Sequence, residues 1–178
     1  MNRHYRISRR KFLQSAAALA TTGAVGGVES AENFRARPPK LTRDGRKPIA
    51  LITTVYRPLS HAHHIGGRFI HGYARDGELH VPKYYIHSMF VDQRPGNDLS
   101  KDLCKEHRIR RAQSIEETLI DDQGNLAVEG VLLIAEHGNY PRNDRGQILY
   151  PRHPFMKEIV SAFRKTGESV PIFNDKQL

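Results

Sequence analysis

Residues 48–56 read PIALITTVY, an unbroken run of apolar and β-branched side chains. A strand wetted on one face alternates apolar with polar residues, so this run predicts a strand buried on both faces. Residues 130–136, GVLLIAE, repeat the signature more cleanly. Working outward from the first strand, residues 60–73 read as a helix, weakened by Gly66-Gly67 and approached through Pro58. Residues 83–92, KYYIHSMFVD, form an aromatic-rich strand in which Tyr84, Tyr85, Met89 and Phe90 are expected to be core. A helix follows over 98–107 with Asp98 as its N-cap, then a short strand over 109–112. Ser114 and Glu117 have capping-box spacing, which opens a helix to residue 120. After a turn at Asp122-Gln123-Gly124-Asn125 and the strand at 130–136, residues 154–166 read as an amphipathic helix that turns Phe155, Ile159, Val160 and Phe163 inward. Residues 169–173 supply a last strand.

Strands that alternate with helices pair in parallel through right-handed crossovers. The expected fold is therefore α/β, a Rossmann-like three-layer sandwich with an open, mostly parallel sheet of about five strands. No internal repeat or low-complexity segment interrupts the pattern.

The N-terminus has a different character. Five basic residues and no acid occupy residues 1–11, and an Ala-rich apolar stretch follows over 12–28. This is the layout of an export signal. Ser8-Arg9-Arg10-Lys11-Phe12-Leu13 sets paired arginines before Phe-Leu, the twin-arginine arrangement, so the expected partner is the twin-arginine translocation machinery and the expected location is periplasmic or secreted. At about 17 residues the apolar stretch falls short of the roughly 20 needed for a permanent span. The alternative, an uncleaved anchor, stays open. With cleavage near Ser30 or Ala31, residues 1–31 form the signal, 32–47 a polar Pro-containing linker and 48–178 the domain.

Cleavage would leave 23 Lys and Arg against 18 Asp and Glu, an excess compatible with an acidic ligand and ordinary for a soluble domain. Nucleic acid is not an expected partner outside the cytoplasm. Cys104 is the only cysteine, which excludes an intramolecular disulfide; its place beside Leu99 and Leu103 on one helix face predicts a small core residue. The basic run at 105–111 is expected to be a solvated face.

In open α/β sheets ligands sit beyond the carboxyl ends of the strands, where the strand order reverses. The segments expected there are Arg57 to Gly67 after the first strand, Asp92 and Gln93 after the second, Glu136 to Tyr140 after the fourth and Asn174 to Lys176 after the last. Two chemistries fit them. A nucleotide cofactor, NAD or NADP, would use Asp92 for a ribose and Arg57 or the amides near Ser60 for phosphate. A divalent metal would draw on His61, His63, His64, Glu136 and His137, whose imidazoles and carboxylate suit zinc-like ions. The glycine-rich G-x-G-x-x-G loop is missing, and no G-x-S-x-G elbow or Walker loop occurs. A third reading is a non-catalytic domain for a small-molecule ligand. The polar stretch from Tyr140 to Gly146 is expected to close over a ligand or merely to connect.

The stretch SIEETLIDDQGNLAVEGVLLIAEHGNYP, residues 114–141, and SVPIFNDKQL, residues 169–178, resemble the N-terminal nucleotide-binding domain of the glucose-fructose oxidoreductase and inositol dehydrogenase family. The resemblance covers about residue 48 to the C-terminus. It implies that Lys176 matches a motif lysine contacting nicotinamide and substrate, that Asp175 stands for the motif glutamate, and that Gln177 replaces its proline. It also implies that Asp92 is the ribose-binding acid and that residues 136–139 line the nicotinamide pocket. Members of that family carry a further α/β domain after this motif, so the chain is expected to be either a fragment of a longer protein or a truncated relative without the complete reaction.

Overall fold

In the computed structural model of the chain, residues 40–177 are described. The expected signal, residues 1–31, and the first part of the expected linker lie outside them. The described chain runs β1 (Lys47–Thr53), α1 (His61–His71), β2 (Tyr73–Arg75), β3 (Glu78–His80), β4 (Tyr84–Val91), α2 (Ser100–His107), β5 (Arg110–Arg111), α3 (Ile115–Leu119), β6 (Val131–Ile134), α4 (Arg152–Thr166) and β7 (Ile172–Asn174).

Five strands form one sheet in the order β5-β4-β1-β6-β7. Every neighbouring pair in it is parallel. The chain winds outward from β1 to β4 and β5, then crosses back to β6 and β7 on the other side. This is the doubly wound Rossmann order, with its switch point between β1 and β6.

The double burial of β1 is visible residue by residue. Ile49 and Leu51 face one apolar layer with Ile86, Met89, Val91, Leu132 and Ile134, which α1 and α2 close through Ala62, Ile70 and Cys104. Ala50 and Ile52 face the opposite layer with Val131 and Leu133, closed by Ile115 and Leu119 of α3 and by Phe155, Ile159 and Ala162 of α4. The period of two along each strand thus feeds two cores, giving the expected three layers. Polar residues survive inside because they are bonded: Thr53 donates its hydroxyl to the Ile134 carbonyl at 2.8 Å, and Ser88 to the Thr118 carbonyl at 2.6 Å. Left unpaired, each would cost about 1–3 kcal/mol.

Several element boundaries moved. The helix expected to reach Tyr73 stops at His71, because Gly72 turns to φ +74° and Asp76-Gly77, both at positive φ, folds residues 73–80 into a hairpin. Asp-Gly is the turn chemistry such hairpins demand. α2 begins at Ser100 with Leu99 at its N-cap, and Asp98 binds the Ser100 amide and hydroxyl. Ser114 caps α3 as expected, accepting from the Glu117 amide at 3.0 Å, while Glu117 reaches back to the Gln113 amide at 2.7 Å. Tyr84 is exposed at the start of β4, not core; Met89 is fully buried and Phe90 half-buried. The run at 105–111 is partly structural, since Arg110 donates to carbonyls of Glu117 and Ile120. Ahead of β1, Arg43 donates to the His107 and Arg108 carbonyls, and Arg46 to those of Phe69, Pro82 and Tyr84, fastening the end of the expected linker to the domain. Among the described residues no helix is long and apolar enough to cross a membrane.

Candidate functional site

The switch point gathers the loops after β1, β4, β6 and β7. The β1 and β6 loops are tied together where they leave the sheet, the Thr54 hydroxyl donating to the Glu136 carbonyl at 2.7 Å. From there the chain passes Arg57 to Ser60, which is fully buried and caps α1. The Ser60 hydroxyl accepts from the His63 amide at 3.2 Å and the Arg57 amide at 3.3 Å, so it shapes the loop and is spent on the helix end. α1 then lies unusually close to β1. A Cβ at Gly66 would stand 2.8 Å from Leu51 Cδ2, so this glycine does for helix-to-strand packing what a glycine of the dinucleotide fingerprint does.

The β6 loop turns sharply through His137 at φ +69° and Gly138 at φ +111°. The turn sends Asn139 and Tyr140 toward the β4 loop. Gln93 brackets the Asn139 backbone, donating to its carbonyl at 3.0 Å and accepting from its amide at 2.8 Å. Tyr140 donates its hydroxyl to Asp92 Oδ2 at 2.6 Å. Desolvation first, and then the Asp92 carboxylate, push the Tyr140 phenol well above its ordinary range, so it stays a donor. β4 and β6 flank β1, so these bonds form a strap across the end of the central strand.

Beside the strap lies an open cleft of about 470 Å³ lined by Val55, Arg57, Gln93, Arg94, Pro95, Gly138 and Asn139. Two guanidiniums and no carboxylate are among its lining residues. Next to Gly138 in the chain, His137 sits edge-on to His61, ring centroids 5.0 Å apart. His61 Nδ1 is 2.7 Å from Asp175 Oδ2. Desolvation, then the nearby His61 and Arg57, hold the His137 imidazole below its ordinary range, so it is neutral at pH 7.

The expected site residues therefore divide. Arg57 and Asn139 line the cleft, with His137 next to the lining Gly138. Asp92 is at the strap with Tyr140 as its partner. Glu136 turns away to an ion pair with Arg152 at 2.7 Å, both side chains largely shielded. Lys176 is exposed after β7 and is not among the cleft-lining residues. His61 and His137 come together, whereas His63 packs its ring on Tyr56 and on His64. Among the described residues no three His, Cys, Asp or Glu side chains are grouped to hold a metal ion. Sequence reasoning missed Arg94 and the pairing roles of Arg152 and Tyr140. Arg94 alone had a signal, since it follows Asp92 and Gln93 at a strand end.

The fold and the site define a Rossmann-like α/β domain with a basic cleft at its switch point. No protein-family model, curated protein or solved structure matches the chain.

Proposed function

We propose that this domain binds an anionic small molecule of the nucleotide-cofactor class, NAD or NADP being the first candidates, as a relative of the oxidoreductases its sequence resembles. The observation that carries the reading is the cleft, at the switch point, lined by Arg57 and Arg94. Its volume falls within the roughly 300–1,000 Å³ of small-molecule sites. Guanidiniums bind phosphate and carboxylate in bidentate fashion, and without a glycine loop they are the groups placed to do so. Asp92 serves a ribose through the oxygen that Tyr140 leaves free. A ligand at a hundred times its Kd stabilises a domain by about 2.7 kcal/mol. Millimolar NAD or NADP should raise the melting temperature of the chain, and Arg57→Ala should remove most of the rise. Unchanged melting with both cofactors, with inorganic phosphate and with simple carboxylates would sink the reading.

Residues 8–13 support a second element of this proposal, export by the twin-arginine route in the folded state. A lone buried Cys104 suits folding before export, because no disulfide has to form afterwards. Replacing Arg9 and Arg10 with lysine should leave the protein in the cytoplasm, and unaltered export would refute it.

A further inference from the structure

His61 stands in the first turn of α1 and Asp175 one residue past β7, 114 positions apart in sequence. Their contact is therefore a product of the fold, made where the first and last strands of the sheet deliver their chains to the same edge. Asp175 is fixed by its own backbone, whose amide donates to the Leu133 carbonyl at 3.1 Å. Its side chain is 13% exposed, against 36% for His61. An ionised carboxylate only accepts, so the proton of a neutral His61 must lie on Nδ1. The lone pair is thereby assigned to Nε2, which makes no hydrogen bond among the described residues and is not a sealed atom. The His137 ring packs against that of His61 in a T-shaped contact, at 75° between the ring planes.

An imidazole held by a carboxylate in this way presents a directed acceptor for an O–H donor. His137, its ring centroid 5.0 Å from that of His61, precedes Gly138, which lines the cleft in which Arg57 and Arg94 would take an anion. We propose that His61 Nε2 is the hydroxyl-recognising acceptor of this site, with Asp175 as its positioning residue, and that the ligand class is a hydroxylated organic anion. The anionic half of the inference rests on the cleft reading above; the acceptor half rests on the His61–Asp175 pair.

The two halves separate in one experiment. In the full chain labelled with ¹⁵N-histidine and ¹⁵N-arginine, long-range ¹H–¹⁵N spectra at mildly alkaline pH report the tautomer of each imidazole, and the guanidinium resonances report on Arg57 and Arg94. His61 should be the Nδ1–H tautomer, and Asp175→Asn should shift it toward Nε2–H, as loss of the carboxylate does in other carboxylate–histidine pairs. Sodium gluconate, a carboxylate with hydroxyls, should shift the His61 Nε2 resonance, whereas sodium hexanoate, which has none, should perturb only the Arg57 and Arg94 side chains. An Nε2–H tautomer in the native chain, or one unmoved by Asp175→Asn, overturns the pairing. Equal shifts at the arginines with none at Nε2 overturn hydroxyl recognition and leave the anion cleft standing. Silence at every residue with both salts overturns the anion cleft and, with it, the ligand class assigned here.

Discussion

Substituting Gly138 with alanine tests the strap most directly, because the residue combines two separate constraints. Its φ of +111° is open to glycine and strained for any L side chain, which costs roughly 1–3 kcal/mol. In addition, an alanine Cβ would stand 2.6 Å from Tyr140 Cε2 and 3.2 Å from Gln93 Oε1. The tyrosine ring must therefore swing away, releasing its hydrogen bond to Asp92. Bonds to charged groups contribute about 1.5–3 kcal/mol, which the solvent exposure of this pair reduces to about 1. The expected loss is about 2–4 kcal/mol, several degrees in melting temperature for a domain of this size. A double-mutant cycle with Tyr140→Ala in chemical denaturation separates the contributions. In the Tyr140→Ala background the backbone strain and the Gln93 contact remain but the clash with the ring is gone, so Gly138→Ala should cost about 1 kcal/mol less there. Equal costs in both backgrounds would refute the steric argument; a cost below about 0.5 kcal/mol in the native background would refute the strap geometry altogether.

Gly66→Ala presses a methyl group into fully buried Leu51, an overpacking cost of about 1–3 kcal/mol that outweighs the roughly 1 kcal/mol gained in helix propensity. The variant should unfold at lower denaturant than the native chain, and a stabilised variant would contradict the close packing of α1 on β1. Burial is the leading cause that holds His63, His71, His87, His107 and His137 below the ordinary imidazole range. The unfolded chain then binds more protons than the folded one, so stability is full above the unfolded value near 6.5 and declines as pH falls through it toward the folded values. Calorimetry should find the melting temperature dropping between about pH 7.5 and pH 5, with a shallower drop in His87→Gln. Burial pushes the Cys104 thiol up to about 11, so it should resist thiol reagents in the native protein and react only on unfolding. Rapid labelling of the native chain would remove Cys104 from the core.

The layer architecture was legible because its signal is local. An apolar run such as residues 48–56 states its own double burial, and GVLLIAE does the same. The capping pair Ser114 and Glu117 announced α3 for the same reason. What was lost was short or conditional. The hairpin at 73–80 went unread between the helix expected to end at residue 73 and the strand expected from residue 83, although Asp76-Gly77 was there to be read. Tyr84 was taken for core because alternation places a residue on a face without saying where the sheet ends. The site was legible only as a set of strand ends. That rule placed Arg57, Asn139 and His137 in loops that follow strands, where the structure has them, but pairing is decided by topology, and no spacing connects His61 to Asp175 or Glu136 to Arg152. The amides near Ser60 were expected to meet a ligand, and what spacing did not reveal is that the Ser60 hydroxyl caps the helix there.

The central position of β1 also governs when the domain can exist during its own synthesis. β1 is the first strand among the described residues, yet Thr53 meets the carbonyl of Ile134, 81 positions further along the chain. β4, α1 and α2 can close on one edge and much of one face early, but the opposite edge and the apolar layer under α3 and α4 stay open until β6 and α4 have emerged. Contacts of such long range are slow to form, and the half-built sheet presents an unpaired apolar edge meanwhile. The ribosome must therefore release most of this chain before its core closes, and the interval in which residues 48–56 are accessible is the one in which a chaperone, or an aggregate, would capture them.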